Sequence, residues 1–321
     1  MEFVEGTIEE EKKFGGLVFP KTLNPPKNDG DQGVEYGSSE LIEMVKAKRE
    51  WLEELLQRHS AILFRGFRVD SAEEFGRVVE GFGWEEMEYW GVASRFKVAH
   101  RVHTTNESPP DKFITFHHEM SLIKDCPSKL FFFCSQPPPI GGETSIVPSS
   151  IVVEKMEEKL PEFVADLMEK GCVFGRSLPK GNDTNIISGR SWKWFLQTED
   201  QDEAKQRATE RLRSCSINFN KDGSADLVFG PLNPIQELEG KRVWFNTILG
   251  YTSNEKDMKV SFGDGSALPS EAFETFKQIL NENCVDLKWQ KGDVLLLDNF
   301  TVQHARRPGK PPRTVLVSVC K

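Results

Sequence analysis

The chain has 321 residues with 38% hydrophobic and 28% charged side chains, a composition that supports a large core and excludes disordered, collagen-like and membrane-spanning classes. Forty-one Lys and Arg against 50 Asp and Glu leave a net charge of -9, a field that repels phosphate backbones and anionic lipid, so neither nucleic acid nor membrane is an expected partner. The acidic first 13 residues contain no apolar signal-peptide region and no transit-peptide character, and six cysteines are spread without a CxxC pair; cytosol and reduced thiols are the expectation.

In chain order, residues 21–37 are rich in Pro, Gly and Asn and read as irregular. Leu41, Ile42, Val45, Trp51, Leu52, Leu55 and Leu56 then recur at helical spacing, predicting one amphipathic helix over 39–59 within a lead-in of about 60 residues. The apolar run 61–67 predicts a strand, and Asp70 with Glu73 a capping box for a helix to about 80. Further on, the stretches 130–134, 242–248, 285–289, 294–297 and 314–319 are strand-length, rich in Phe, Val and Leu, and bounded by turn residues. Helical patterns fall at 152–170, 202–212 and 272–280, the last with Ser270 as N-cap, and residues from about 151 to 240 read as a largely helical insertion. Strands without regular βα alternation predict a mostly β fold with helical insertions, an antiparallel sandwich or jelly roll, in a single domain spanning 1–321.

Of the six histidines, only His117 and His118 have a carboxylate beside them, in Phe116-His117-His118-Glu119. In an extended segment, side chains at i and i+2 share a face, so His117 and Glu119 would converge while His118 points away. His304, just past the apolar segment 294–297, is a candidate third ligand. Two imidazoles and one carboxylate leave three adjacent positions open on octahedral iron(II). The same residues also fit ordinary packed or surface histidines; further elements in order weigh against that reading.

Those elements are Leu63-Phe64-Arg65-Gly66-Phe67 before the HxE segment, Gly141-Gly142-Glu143-Thr144 after it, and Arg313 nine positions beyond His304. Together the five resemble the TauD/TfdA-like iron(II)- and 2-oxoglutarate-dependent oxygenases, and within them the clavaminate synthase-like proteins, where Glu replaces the commoner Asp at the position of Glu119. The resemblance implies a double-stranded β-helix (jelly roll) of the clavaminate synthase-like type. It implies that His117, Glu119 and His304 bind iron(II), and that Thr144 and Arg313 hold the distal carboxylate of 2-oxoglutarate. It also implies that dioxygen and 2-oxoglutarate are consumed to give succinate and carbon dioxide while a small organic substrate is oxidised; the alternative is a silent jelly roll that binds metal and 2-oxoglutarate without turnover.

Around the metal, Asp298-Asn299 is expected to fix the turn that aims His304, and Arg306 and Arg307 to lie on the surface or the pocket rim. In the taurine-oxidising members a second arginine lies four positions past the cosubstrate arginine; here that position is Val317, which argues against an anion held in that manner. Asn106, Phe245, Asn246 and Val317 are the candidate substrate-pocket residues. The sequence leaves the oligomeric state open.

Overall fold

The computed structural model describes the chain except for residues 27–34, 90, 92–94, 106–107, 183–188, 239 and 251–257. Its centre is an eight-stranded sheet whose inner strands are Ala61–Phe64, Val294–Asp298, Lys129–Gln136 and Thr314–Cys320. Side chains alternate between the two faces of this sheet. Ala61, Leu63, Leu130, Phe132, Leu295 and Leu297 join one apolar core; Ile62, Phe64, Phe131, Phe133, Val294 and Leu296 join another. Burial on both faces is why these strands are continuous apolar runs, without a polar alternation.

The second core is closed by helices Ser38–Ala47, Arg49–His59 and Ala72–Phe82, through Leu41, Met44, Leu52, Phe75 and Val79. The predicted helix over 39–59 is thus two helices, divided at Lys48, where the backbone leaves helical geometry (φ -122°, ψ 20°). The cap of the third helix sits one residue later than expected: Ser71 Oγ accepts from the Glu74 amide at 3.2 Å, and Glu74 reaches back to the Asp70 amide at 2.8 Å.

On the opposite face lies a four-stranded sheet ordered Val285–Leu287, Thr144–Pro148, Val302–Arg306, Ile114–His117. Its antiparallel register sets Ile146 opposite His304, and His304 opposite His117. The span 151–240 departs from the largely helical expectation. Helices Ser149–Lys159, Pro161–Lys170, Trp192–Leu196 and Gln201–Arg211 share it with strands Cys172–Leu178, Cys215–Phe219 and Ala225–Leu232, which with Lys259–Phe262 make a further four-stranded sheet. The period-two signal of Phe174 and Leu178, or of Leu227 and Phe229, was obscured by the glycines and charged residues interleaved with them. Pro161 splits the helix predicted over 152–170, taking the first position of the second segment. Helix Ser270–Asn283 is capped by the backbone at Pro269 and not by the Ser270 side chain. All six cysteines are free thiols, and among the described residues no helix is long and apolar enough to cross a membrane.

Candidate metal centre

His117 ends the strand Ile114–His117, and its Nδ1–H donates to the Thr115 carbonyl at 2.7 Å. That bond fixes the ring and leaves Nε2 with its lone pair directed away from the strand. His304 faces it across the register, the two ring centroids 4.3 Å apart. Glu119 lies just beyond the strand end, where Met120 takes a left-handed conformation (φ 57°) and turns the chain. Convergence of 117 and 119 is therefore the work of a turn as much as of strand alternation.

Asn299 holds that turn. Its Oδ1 accepts from the Glu119 amide at 2.8 Å, and its Nδ2 donates to the carbonyls of Glu119 and Pro127 at 3.0 and 2.8 Å. The neighbouring Asp298 accepts from the Phe300 amide at 2.9 Å. Of the Asx pair, Asn299 clamps the backbone of Glu119 and Asp298 engages the Phe300 amide.

One ligand atom from each of His117, Glu119 and His304 lies within 4.8 Å of the others. Burial holds the His117 imidazole below its ordinary pKa; burial and the His117 ring beside it hold His304 well below. Both rings are neutral at pH 7, so each offers a lone pair. Two neutral imidazoles and a carboxylate with one open side are a donor set that fits a divalent first-row metal such as iron(II). The carboxylate also meets a cation that sequence reading missed: Arg95 Nη2 donates to Glu119 Oε2 at 2.6 Å, while its guanidinium stacks 4.1 Å over the Tyr89 ring.

His118 turns the other way. Its Nδ1 accepts from the Asn246 amide at 3.2 Å, so Nε2 carries the proton and donates to Ser149 Oγ at 2.9 Å. Complete burial pushes its pKa down to about 3. Between pH 6.5 and 3 the unfolded chain takes up a proton that the folded one refuses, so this residue's contribution falls with pH by up to ~1.4 kcal/mol per unit. Urea unfolding of the metal-free protein at pH 7 and pH 5 should show that loss, added to the same-signed contributions of His117 and His304, and His118→Asn should make the difference smaller.

The second half of the site is built from Gly142, Thr144, Trp289 and Arg313. Arg313 Nε donates to the Gly142 carbonyl at 2.7 Å and Nη2 to Thr144 Oγ1 at 3.4 Å, both neutral acceptors. Burial and the nearby Arg306 push the guanidinium down to about 10. A half-buried cation whose hydrogen bonds, among the described residues, go to neutral oxygens is what an incoming carboxylate would complete. Trp289 Nε1 donates to the same Thr144 oxygen at 3.1 Å, so that the hydroxyl hydrogen is left to point elsewhere. Gly142 adopts φ +70°, and a Cβ there would meet Pro138 Cγ at 3.0 Å and Arg313 Cδ at 3.1 Å, while a Cβ on Gly141 would run into the Pro308 carbonyl; the close passage of Arg313 and Pro138 accounts for the glycine at 142, and the chain at 308 for the one at 141. Trp289 also escaped the sequence reading, its one signal being a tryptophan just before the Lys291-Gly292-Asp293 turn.

Both halves open into one cavity, lined among others by His117, Glu119, Thr144, His304 and Arg313. Arg306, expected at the surface or rim, is part of its wall and donates to the Ser108, Pro109 and Lys112 carbonyls at 3.2, 2.7 and 3.2 Å. Arg307 is half-buried and paired with Asp286 at 2.9 Å. Among the described residues, the expected substrate residues Phe245, Asn246 and Val317 are not on the cavity wall. Phe245 and Asn246 pack behind His118, the Phe245 ring 4.7 Å from the imidazole, and Val317 is core, paired with Phe132 and His103 in the large sheet. Asn106 lies outside the described residues. The side chains present are instead Leu122, Ile123, Phe195, Leu212, Leu227 and Phe229, with Arg176 among them.

Residues 23–320 match the model of the family described as taurine catabolism dioxygenase TauD, TfdA family. The chain belongs to the TauD/TfdA family. A clavaminate synthase-like protein of Arabidopsis thaliana is 42% identical over 99% of this chain and 98% of its own length. The dapdiamide synthesis protein DdaC of Enterobacter agglomerans is 27% identical over 84% of both chains. Among solved structures, PvcB of Pseudomonas aeruginosa, described as an Fe, alpha-ketoglutarate dependent oxygenase from an isonitrile synthetic pathway, superposes with a TM-score of 0.54 at 16% identity, covering 94% of this chain and 85% of that one. AAD-2, solved with Mn(II) and N-oxalylglycine, gives 0.53 at 15% identity over 99% and 97%. The last two likenesses concern the fold alone. In this TauD/TfdA family chain the HxE segment, the distal histidine and the glycine-threonine and arginine positions share one cavity.

Proposed function

We propose that the chain is an iron(II)- and 2-oxoglutarate-dependent oxygenase that oxidises, by hydroxylation in the simplest case, a small organic substrate and releases succinate and carbon dioxide. In this reading its two facing sheets are the halves of a double-stranded β-helix, and residues 1–321 fold as one domain. The observation that carries it is the pairing, within one cavity, of the His117, Glu119 and His304 cluster with a half-buried Arg313 whose hydrogen bonds, among the described residues, go to neutral oxygens.

Bound iron(II) would activate dioxygen and, with the cosubstrate, supply the oxidising power. The chain's own residues do the rest. His117, Glu119 and His304 hold the ion on one side and leave the other open. Arg313 offers its planar fork to a carboxylate, and Thr144, its oxygen already engaged by Trp289 and Arg313, donates its hydrogen to the same group. The apolar wall from Leu122 to Phe229 excludes water and presents the substrate's C–H bonds. Free thiols, the acidic charge and the concave, largely apolar cavity support a small-molecule substrate in the cytosol rather than a nucleic acid.

Protein supplied with iron(II), ascorbate, 2-oxoglutarate and air should form succinate, faster with a substrate than without. A protein that binds no 2-oxoglutarate in calorimetry would overturn the proposal; binding without acceleration by any candidate would favour the silent metal and 2-oxoglutarate binder.

A further inference from the structure

Among the described residues Glu119 is the one carboxylate on the cavity wall, and the fold already gives it a cation. Arg95 Nη2 donates to Glu119 Oε2 at 2.6 Å, and both side chains are almost wholly buried. The guanidinium also lies over the Tyr89 ring, 4.1 Å from its centre. A guanidinium keeps its charge throughout the physiological pH range. Swinging it away from Glu119 would give up both the stacking and a charge-assisted hydrogen bond, so it stays beside the carboxylate when an ion arrives.

Glu119 is thus shared by two cations. A divalent ion, the Glu119 carboxylate and two neutral imidazoles would leave one unit of positive charge; Arg95 raises it to two, in an interior where like charges are poorly screened. Toward a dianion the sign reverses, and the same guanidinium attracts 2-oxoglutarate at the ion's open side. In the empty site Arg95 compensates Glu119, which would otherwise be a buried carboxylate deprived of this counter-charge.

Resting on the oxygenase reading above, we propose that Arg95 is a positioning residue that governs how the site is loaded: it stands in for the ion at Glu119 while the site is empty, weakens the hold on a lone ion, and strengthens the hold on the dianionic cosubstrate. A lone ion then stays exchangeable, and the pair of ion and dianion is the state that the charge of the wall favours. A residue that only packed the cavity would, when replaced, move both affinities in one direction. A charge at this place moves them in opposite directions.

The test uses the metal-free full chain. Mn(II) binding is measured from the electron paramagnetic resonance signal of the free ion, and 2-oxoglutarate is then titrated by calorimetry into protein saturated with Mn(II). Arg95→Gln keeps a donor for Glu119 and removes the charge; it should bind Mn(II) about tenfold more tightly and 2-oxoglutarate at least about threefold more weakly than the wild type. Arg95→Lys restores the charge and should bring both constants back toward the wild-type values. Should thermal unfolding show that Arg95→Gln does not fold without metal, Tyr89→Leu, which loosens the guanidinium, should give smaller changes in the same two directions. Affinities that weaken together, that do not move, or that move as far in Arg95→Lys as in Arg95→Gln would overturn the proposal. A wild type that takes up no 2-oxoglutarate at saturating Mn(II) overturns the oxygenase reading instead.

Discussion

Replacing any one of His117, Glu119 or His304 should abolish stoichiometric binding of iron(II) or Mn(II), weakening it at least about 100-fold. The scale comes from four-ligand zinc sites, whose apparent binding energies correspond to roughly 3 kcal/mol per ligand. Equilibrium dialysis at one metal per chain checks it, and unchanged retention in any of the three would force a different ligand assignment. The choice of substitution matters at Glu119. Its carboxylate is also the partner of Arg95, and both side chains are almost wholly buried, at 6% and 7% exposure. Glu119→Ala would leave a buried guanidinium without its counter-charge and should lower the metal-free protein's stability by about 3 kcal/mol. Glu119→Gln keeps an oxygen for Arg95 and separates the two effects. His117→Ala and His304→Ala leave the Arg95–Glu119 pair in place, so a loss of metal binding there without a large loss of stability identifies ligation as the cause.

Arg313 should show the reverse trade. Arg313→Met removes a half-buried cation whose hydrogen bonds, among the described residues, go to neutral oxygens, so thermal unfolding of the apo protein should move little or shift upward. The same change should weaken 2-oxoglutarate binding by roughly 100-fold or more, because one member of a desolvated charge pair is gone. Arg313→Lys retains the charge and loses the fork; the loss of one charge-assisted bond of ~1.5 kcal/mol predicts about a tenfold weakening. Calorimetry with Mn(II)-loaded protein measures both. Equal affinity in all three forms would remove Arg313 from the cosubstrate pocket. Stability that rises as binding falls is expected where a residue is kept for its ligand.

The metal cluster was legible because its chemistry restricts residue type: with six histidines in the chain, a carboxylate two positions from one of them left few combinations. The central strands were legible for a different reason, since burial on both faces leaves uninterrupted apolar runs such as 130–134 and 294–297. The sheet containing Arg176 was not, because its inward residues are separated by Gly175, Asp226 and Gly230 and its pattern reads as neither clean strand nor helix. Arg95 and Trp289 escaped because little in their neighbourhoods sets them apart; each acquires meaning through what the fold places opposite it, Glu119 for the one and Thr144 for the other. The reading of Phe245 and Asn246 as pocket residues failed from the same cause. Aromatic and amide side chains side by side suit a pocket or a core equally, and here they support His118 from behind.

The register between the His117 and His304 strands has one further consequence. The ladder pairs His304 with His117 and then slips before Arg306 reaches Ile114, so backbone hydrogen bonds fix this strand pair only loosely. An ion held by both histidines would join two points about 190 residues apart in the chain, at the position where the ladder is irregular, closing a loop whose entropy cost grows only slowly with its length. The metal would then act as a register pin as well as a reaction centre, so that the alignment of the edge strand and the capacity for oxidation would be gained in one binding event and lost together.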